Sequence, residues 1–241
     1  MDITNDRHTQ HISRQFNEEL ESLRTRLLAM GGLVERHLSE VVEALIENDA
    51  TAAEQVRAND HAVNDFQLEL DEACTHVLAR RQPTASDLRL VLAVTRTTSD
   101  LERMGDESNK IARNVLHLIE NGQSSRGVAE IRNISARVRL MSRNALTAFA
   151  RMDADTARQV LTEDDEVDQH YRSAMRSLVT FMMEDPRAIS PVLNVMWILR
   201  SLERVGDHAS NIAESVIYLV EGADVRHVGK SSLQRDAEDN L

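Results

Sequence analysis

The stretch Leu101-Glu102-Arg103-Met104-Gly105-Asp106 recurs 101 positions later as Leu202-Glu203-Arg204-Val205-Gly206-Asp207. Each copy carries a glutamate and an aspartate four residues apart, and residues at that spacing share one face of an α-helix. The similarity continues downstream in further identical pairs: Ile111 and Ile212, Ala112 and Ala213, Val115 and Val216, Leu118 and Leu219, Glu120 and Glu221. The chain is therefore predicted to contain a duplicated helical unit with an acidic face in each copy.

The composition favours helices over strands. The 241 residues include only 8 glycines and 3 prolines, and 41% are hydrophobic, which is enough to form a packed core. Apolar residues near the end of the chain recur at spacings of three and four, as in Val192, Val195, Met196 and Leu199. No useful length of the sequence alternates with the period of two that is typical of strands.

The few chain-breaking residues divide the sequence into six predicted helices, at about residues 8–47, 51–80, 85–120, 127–151, 154–184 and 188–221. The breaks at Asn48-Asp49 and Met152-Asp153 match at an offset of 104, so the duplication extends upstream of the repeated motif. We therefore predict an all-α fold of two tandem, pseudo-symmetric three-helix bundles. The first repeat covers residues 1–122, the second covers 123–222, and a flexible C-terminal tail is predicted over 223–241.

The net charge and the cysteine content limit which partners the protein can bind and in which compartment it is expected to work. The formal net charge of −12 argues against nucleic-acid binding and against tight binding to an anionic membrane surface. The longest apolar run, residues 192–199, is too short to span a bilayer, so no direct membrane insertion is expected. The single cysteine, Cys74, cannot form an internal disulfide, which fits a reducing cytoplasm. Cys74, Trp197 and Tyr218 are predicted to be packing residues.

The duplicated carboxylates are candidate ligands for a metal ion. Oxygen atoms at positions i and i+4 of one helix can approach the same cation, and a neighbouring helix must complete its coordination. The second helix of each repeat offers a pair of polar side chains at the same spacing. The candidate ligands are Glu102, Asp106, Asp60 and Asn64 in the first repeat, and Glu203, Asp207, Asp164 and Asp168 in the second. The mid-helix glycines Gly105 and Gly206 cost about 1 kcal/mol each relative to alanine, which suggests close helix contact beside the carboxylates.

A purely structural interpretation of these carboxylates stays open. Acidic residues at helical spacing often form a solvated face, where arginines neutralise them in pairs worth ~0.3–0.5 kcal/mol each. The arginines available for such pairs are Arg96, Arg103, Arg200 and Arg204. Lys110 lies where the second repeat has Asn211, which argues against equivalence of the two sites. His208 is a further candidate ligand, although a surface histidine is the simpler interpretation.

Helical halves that carry Leu-Glu-Arg-(Met/Val)-Gly-Asp twice resemble the PhoU family, the accessory and regulatory proteins of bacterial phosphate-specific transport. Further segments along nearly the whole chain are similar to that family: residues 16–22, 81–90, 150–153, 181–185 and 226–229. The resemblance implies an all-α protein of two three-helix bundles that forms a homodimer. It also implies metal binding, of iron or another divalent or ferric ion such as zinc, magnesium or manganese, at Glu102, Asp106, Glu203 and Asp207.

The resemblance further implies a cytoplasmic protein that works at the inner membrane face through protein partners. Members of the family repress the phosphate-starvation response, the Pho regulon, when phosphate is plentiful. They are thought to link the ATPase subunit of the phosphate ABC transporter to the PhoR sensor histidine kinase. We therefore expect a non-enzymatic negative regulator that acts as an adapter in phosphate homeostasis.

Two other functions are compatible with the residues. One is a carboxylate-bridged di-metal enzyme on a helical bundle, but such centres typically use Glu-x-x-His, and no glutamate here has a histidine three residues later. The other is a structural scaffold that binds no metal. The sequence contains no phosphate-binding glycine loop and no Gly-x-Ser-x-Gly motif, so no catalytic residues are assigned.

Overall fold

The computed structural model describes residues 3–121 and 126–225, with side chains from residue 14 onward. These residues form seven α-helices: α1 (Ile3–Glu47), α2 (Ala50–Ala58), α3 (His61–Arg81), α4 (Ala85–Asn121), α5 (Val128–Arg151), α6 (Ala154–Glu184) and α7 (Ile189–Glu221). A short 3-10 turn, Pro186–Ala188, precedes α7, and the described residues contain no strand. The predicted all-α fold class is confirmed.

One predicted helix is interrupted. The sequence predicts a single helix over residues 51–80, but a turn at Asn59 and Asp60 separates α2 from α3. Asn and Asp side chains compete with the backbone for hydrogen bonds, which disfavours a helix interior. In the second repeat, α6 continues without a break through the matching residues, Glu163 and Asp164. Asp60 therefore lies at the start of a helix, whereas Asp164 lies within one.

The matching breaks before α2 and α6 are closed by the same aspartate cap. Oδ1 of Asp49 accepts hydrogen bonds from the backbone N–H groups two and three residues later, at 2.9 and 3.1 Å. Oδ1 of Asp153 does the same at 3.0 and 3.1 Å. The preceding residues, Asn48 and Met152, both adopt left-handed backbone conformations, with φ of 59° and 55°. The duplication thus keeps the backbone geometry of this turn even where methionine replaces asparagine.

The helices that carry the repeated motif, α4 and α7, form the most extensive helix contact of the molecule. In addition, α4 packs against α1, α2 and α3, whereas α7 packs against α5 and α6. The buried apolar residues form one cluster that runs through both repeats and includes Val225. The remainder of the predicted tail, residues 226–241, lies outside the described residues. Residue 122 lies outside them too, and the division of the chain at that position stays a prediction.

Two of the three residues predicted to pack, Cys74 and Tyr218, are buried or half-buried, and the third is not. Cys74 is buried on α3, and Tyr218 is half-buried beneath Arg96, whose guanidinium carbon lies 4.8 Å from the ring centroid. Trp197, by contrast, is 60% exposed on α7, so its prediction as a packing residue is wrong. Across residues 3–121 and 126–225, no helix is apolar over a length that could cross a bilayer.

The two mid-helix glycines face different neighbours. A Cβ atom at Gly105 would lie 3.1 Å from Cγ1 of Val63 on α3, which is tighter than an ordinary carbon contact. A Cβ atom at Gly206 would lie 3.6 Å from Oδ1 of Asp164 on α6, an ordinary contact distance. Both glycines lie where the motif helix meets its neighbour, but only Gly105 is required by the closeness of the contact.

We predict different outcomes for alanine at the two positions. Gly206→Ala improves the helical preference without a clash, and should raise the free energy of unfolding by about 0.5–1 kcal/mol. Gly105→Ala gains the same preference but presses the new methyl group against Val63, so stability should stay the same or fall. Urea unfolding followed by circular dichroism measures both effects. Equal stabilisation by the two substitutions would contradict the contacts described above.

Candidate metal centre

Three carboxylates of the second repeat converge between α6 and α7. Asp168 on α6, with Glu203 and Asp207 on α7, each place one oxygen within 4.8 Å of the other two. The fourth predicted residue, Asp164, lies one helical turn before Asp168, and its Oδ1 faces Gly206. The structure therefore brings together three of the four side chains that the spacing of the second repeat selects, with Asp164 beside them.

Local sequence explains why these side chains meet. Each of the two helices presents two carboxylates four residues apart, on one face. Gly206 faces this helix contact, and a Cβ atom there would lie 3.6 Å from Oδ1 of Asp164, so a methyl group would also fit. Leu202 and Val205 of the motif are fully buried in the core, which fixes the rotation of α7 about its axis. With the apolar residues turned inward, the carboxylates of α7 point towards α6.

Crowding raises the pKa of two of these carboxylates. Glu203 is 8% exposed, and the loss of water around it, followed by repulsion from Asp207, raises its pKa to about 7 against the opposing effect of Arg200. Loss of water, followed by repulsion from Asp164 and Asp168, also raises the pKa of Asp207. By solvent accessibility, Glu203 is buried and Asp207 is exposed.

The arrangement of oxygens fits a hard cation. Oε2 of Glu203 is buried and has no hydrogen-bond partner, and a bound cation would satisfy it. Two oxygens bound to one ion lie at most about 4–5 Å apart, twice the metal–oxygen bond length, and the cluster meets this limit. Arg200 donates to Oε1 of Glu203 at 2.6 Å, and Arg172 donates to Oδ2 of Asp168 at 2.6 Å. Each arginine engages one oxygen and leaves the other to a cation.

The corresponding side chains of the first repeat are arranged less favourably. Loss of water, followed by repulsion from Asp106, raises the pKa of Glu102, and Asp60 adds to this repulsion. Arg103 lies 3.6 Å from a carboxylate oxygen of Glu102. Asn64 is exposed. In the described structure, the three carboxylates Glu102, Asp106 and Asp60 form no converging group. The turn before α3, and an amide at position 64 where the second repeat has a carboxylate, explain the difference.

The other charged residues that the sequence places near the motif have partners elsewhere. Arg204 on α7 and Lys110 on α4 both pair with the buried carboxylate of Glu107, at 3.1 and 2.9 Å. Nδ1 of His208 lies 2.9 Å from Oδ1 of Asp100 on α4. Lys110 therefore pairs with a carboxylate outside the first-repeat candidates, and His208 is engaged across the α4–α7 contact instead of in the three-carboxylate group.

Sequence reasoning does not find Arg172, Glu107 or Asp100. A signal for Arg172 exists, because it follows Asp168 by four residues on the same helix. Glu107 carries a similar signal towards Lys110, which follows it by three residues on α4. No such signal links Glu107 to Arg204 or Asp100 to His208, since these partners lie on another helix and about one hundred residues away. Only the packing of α4 against α7 brings these groups together.

The raised pKa of Glu203 predicts that the metal-free protein loses stability as the pH rises. The unfolded chain releases this proton near pH 4.5 and the folded chain near pH 7, so the folded state binds more protons between these values. The stabilisation is complete below pH 4.5 and is lost as the pH rises through about 7. Its size is on the order of 3 kcal/mol, and Glu203→Gln should remove most of it. Urea unfolding with a chelator present, from pH 4.5 to 8, measures the loss.

The matched control for this experiment is Glu120→Gln, the same substitution at an exposed position of α4. It should keep the pH dependence of the unsubstituted protein. If Glu203→Gln also kept that dependence, the proton would not be held at this site.

The chain matches the family model described as the PhoU domain over residues 27–115 and 131–216. It is 54% identical over 238 residues to the phosphate-specific transport system accessory protein PhoU homolog of Pseudomonas aeruginosa, across 99% of this chain and 98% of that protein. The phosphate-specific transport system accessory protein PhoU of Escherichia coli K12 is 44% identical over 225 residues, across 93% of each chain.

Two solved structures share the fold. The crystal structure of PhoU from Pseudomonas aeruginosa has a TM-score of 0.85 and 55% sequence identity, over 86% of this chain and 100% of that one. The crystal structure of the phosphate transport system regulatory protein PhoU from Streptococcus pneumoniae has a TM-score of 0.81 and 32% identity, over 87% and 99%. Since the sequence matches extend through both copies of the motif and nearly the whole chain, this chain belongs to the PhoU family.

Proposed function

We propose that this chain is a non-enzymatic regulator of phosphate transport that represses the phosphate-starvation response, the Pho regulon, when phosphate is plentiful. It acts as an adapter between the ATPase subunit of a phosphate ABC transporter and the PhoR sensor histidine kinase. The observation that carries this proposal is the similarity, over 93–99% of the chain, to relatives named as accessory proteins of phosphate-specific transport. Because the alignments leave almost no part of the chain unmatched, the role is assigned to the whole molecule.

The proposed regulator works in the cytoplasm as a homodimer and reaches the inner membrane through its protein partners. Its formal net charge of −12 disfavours direct binding to anionic lipid headgroups. Its one cysteine, Cys74, is a buried free thiol, which suits a reducing compartment. Both observations support recruitment by proteins over recruitment by lipid.

The proposed cofactor is a divalent or ferric ion, such as iron, zinc, magnesium or manganese, held by the second repeat. Asp168, Glu203 and Asp207 supply its oxygen ligands, with Asp164 beside them. A cation there compensates the repulsion among the carboxylates and satisfies the unpaired oxygen of Glu203. Because the ligands come from both α6 and α7, binding of the ion links these two helices. Metal occupancy can thereby influence the surface that a partner meets.

The first repeat provides a weaker candidate for the same chemistry. Its carboxylates are Glu102, Asp106 and Asp60, which form no converging group in the described structure, and the fourth predicted ligand, Asn64, is an exposed amide. A cation held there has fewer charged ligands, so we expect lower affinity than at the second repeat.

The double substitution Glu203→Gln and Asp207→Asn should abolish metal uptake by the second repeat and leave helicity intact. It removes two of the three converging carboxylates, and it also removes their mutual repulsion, so the fold should not suffer. Elemental analysis of protein purified without chelator, and then loaded with each candidate cation, measures the stoichiometry. Circular dichroism measures the helicity.

Glu102→Gln with Asp106→Asn is the matched control, because it makes the same changes in the first repeat. This variant should keep the metal of the second repeat. Unfolding of the second-repeat variant would show that the cluster is structural. A metal content near zero in the unsubstituted protein, with every cation tried, would favour the metal-free scaffold. Oxygen-dependent oxidation of added Fe²⁺ would instead favour a di-metal enzyme.

The adapter role predicts that the folded protein co-purifies with the detergent-solubilised phosphate transporter and with the detergent-solubilised kinase. A transporter preparation that lacks the ATPase subunit is the control, and it should not retain the protein. Failure of the folded protein to bind either partner would contradict the proposal.

A further inference from the structure

A groove of about 520 Å³ runs between α4 and α7. Its charged lining consists of four cationic side chains and one carboxylate: Lys110, Arg113, Arg200, Arg204 and Glu107. The chain as a whole has a formal net charge of −12, so this excess of positive charge is local. A concave surface of one charge attracts partners of the opposite charge.

Two cationic side chains of the groove form ion pairs at its base and remain partly exposed at its opening. Glu107 is 3% exposed and pairs with both Lys110 and Arg204, which fixes the direction of two of the cationic side chains. Those two side chains are still 50% and 46% exposed. Arg113 is exposed and takes part in no ion pair within the described part of the chain. A ligand can therefore reach positively charged side chains, two of which are already held in place by Glu107.

An exposed apolar stripe continues from the groove along α7. Ile189, Leu193 and Trp197 follow one another at intervals of four residues, so they share one face of the helix. They are 43%, 41% and 60% exposed. Trp197 also lines the groove, which makes the apolar and the cationic surfaces contiguous. Tryptophan and arginine are the residues most enriched in the energetic centres of protein–protein interfaces.

The repeat-related side of the same helix contact carries different side chains in the described part of the chain. At the offset of 101, Trp197 corresponds to Arg96 and His117 corresponds to Tyr218. There, Arg96 covers the ring of Tyr218, so the aromatic face is occupied within the chain. The cations of the groove correspond to mostly uncharged or acidic residues, since Lys110, Arg113 and Arg200 match Asn211, Glu214 and Ser99. The cationic groove is therefore a specific feature of one side and not a by-product of the helical scaffold.

We propose that this groove, together with the apolar stripe on α7, docks an acidic amphipathic segment of a protein partner. Carboxylates of that segment pair with Arg113 and its cationic neighbours, and its apolar side chains cover Trp197 and Leu193. The part of α4 that lines the groove, residues 107–117, is about 15 Å long, which matches about three turns of a docked helix. This inference rests on the adapter function proposed above, and it assigns one partner-binding surface to it.

The chemistry of the groove favours a protein segment over other occupants. Nucleotide phosphates usually bind the free N–H groups of a helix N-terminus or a glycine-rich loop. This groove lies along the second half of α4 and beyond the first turn of α7, where the backbone N–H groups are used within each helix. A second copy of this chain placed symmetrically on the groove would oppose cations with cations.

The experiment uses Trp197 as its own reporter. It is the only tryptophan in the chain, so full-length protein containing 5-fluorotryptophan gives one ¹⁹F NMR signal, which comes from the groove. Unlabelled transporter ATPase subunit and detergent-solubilised kinase are titrated separately into this protein. At least one of them should shift or broaden the signal, and the apparent affinity should fall as salt is added.

Charge reversal at one exposed position tests the cationic wall. Arg113→Glu should weaken the binding of that partner at least tenfold. Arg36→Glu makes the same charge change at an exposed position of α1 and should leave the affinity unchanged. Because both side chains are exposed, both variants should keep the helicity of the unsubstituted protein, which circular dichroism checks.

Four other results would contradict the proposed docking surface, and each can be distinguished from the rest. A partner that co-purifies normally but leaves the ¹⁹F signal and the Arg113→Glu variant unaffected would refute the groove and leave the adapter function standing. If neither partner binds the unsubstituted chain, both proposals fall. A signal that responds to ATP or orthophosphate but to no protein would assign the groove to a small anion. A signal that depends only on the concentration of the chain itself would assign it to a second copy.

Discussion

The packing of α4 against α7 determines where the charged side chains of both repeats point. The apolar residues of the motif, Leu101 and Met104 with their counterparts Leu202 and Val205, are buried to within 1% of their surface. Once these residues occupy the core, the rotation of each helix is fixed, and the remaining motif positions can only face a neighbouring helix or solvent. The glutamate and aspartate then lie towards the second helix of their own repeat. The motif therefore fixes the direction in which its carboxylates point, in addition to supplying candidate ligands.

The same orientation produces unlike sites because the second helices differ. In the second repeat, an unbroken α6 presents two aspartates to α7, and the resulting repulsion raises the pKa of Glu203 to about 7. In the first repeat, a turn precedes α3 and position 64 is an amide, so three carboxylates do not converge there within the described structure. Lys110 pairs with Glu107 and does not contribute to the difference between the two sites. The asymmetry comes from the partner helices, because the motif helices carry the same glutamate and aspartate in both repeats.

Most of the fold follows from local sequence, and most of the disagreements come from contacts between distant residues. Apolar periodicity predicts the helices, the aspartate caps at Asp49 and Asp153 mark two of their starts, and equal spacing on facing helices predicts that Asp168 approaches Glu203. The break at Asn59 is not predictable by comparison with the other repeat, because there the helix continues. Exposure of Trp197 depends on whether another helix covers that face of α7, and no local pattern encodes this. Metal binding stays a proposal, because spacing brings carboxylates together without choosing between a cation and the nearby arginines.

The two unlike sides of the α4–α7 contact have an evolutionary consequence. In a symmetric dimer of identical subunits, every substitution near the twofold axis appears on both sides at once. A single chain that contains both copies escapes this restriction, because position 197 can become tryptophan while Arg96 stays on Tyr218. Duplication within one chain thus lets one side keep a cation–π contact while the other side exposes a tryptophan. Two identical half-length subunits related by a twofold axis would carry the same residues on both sides.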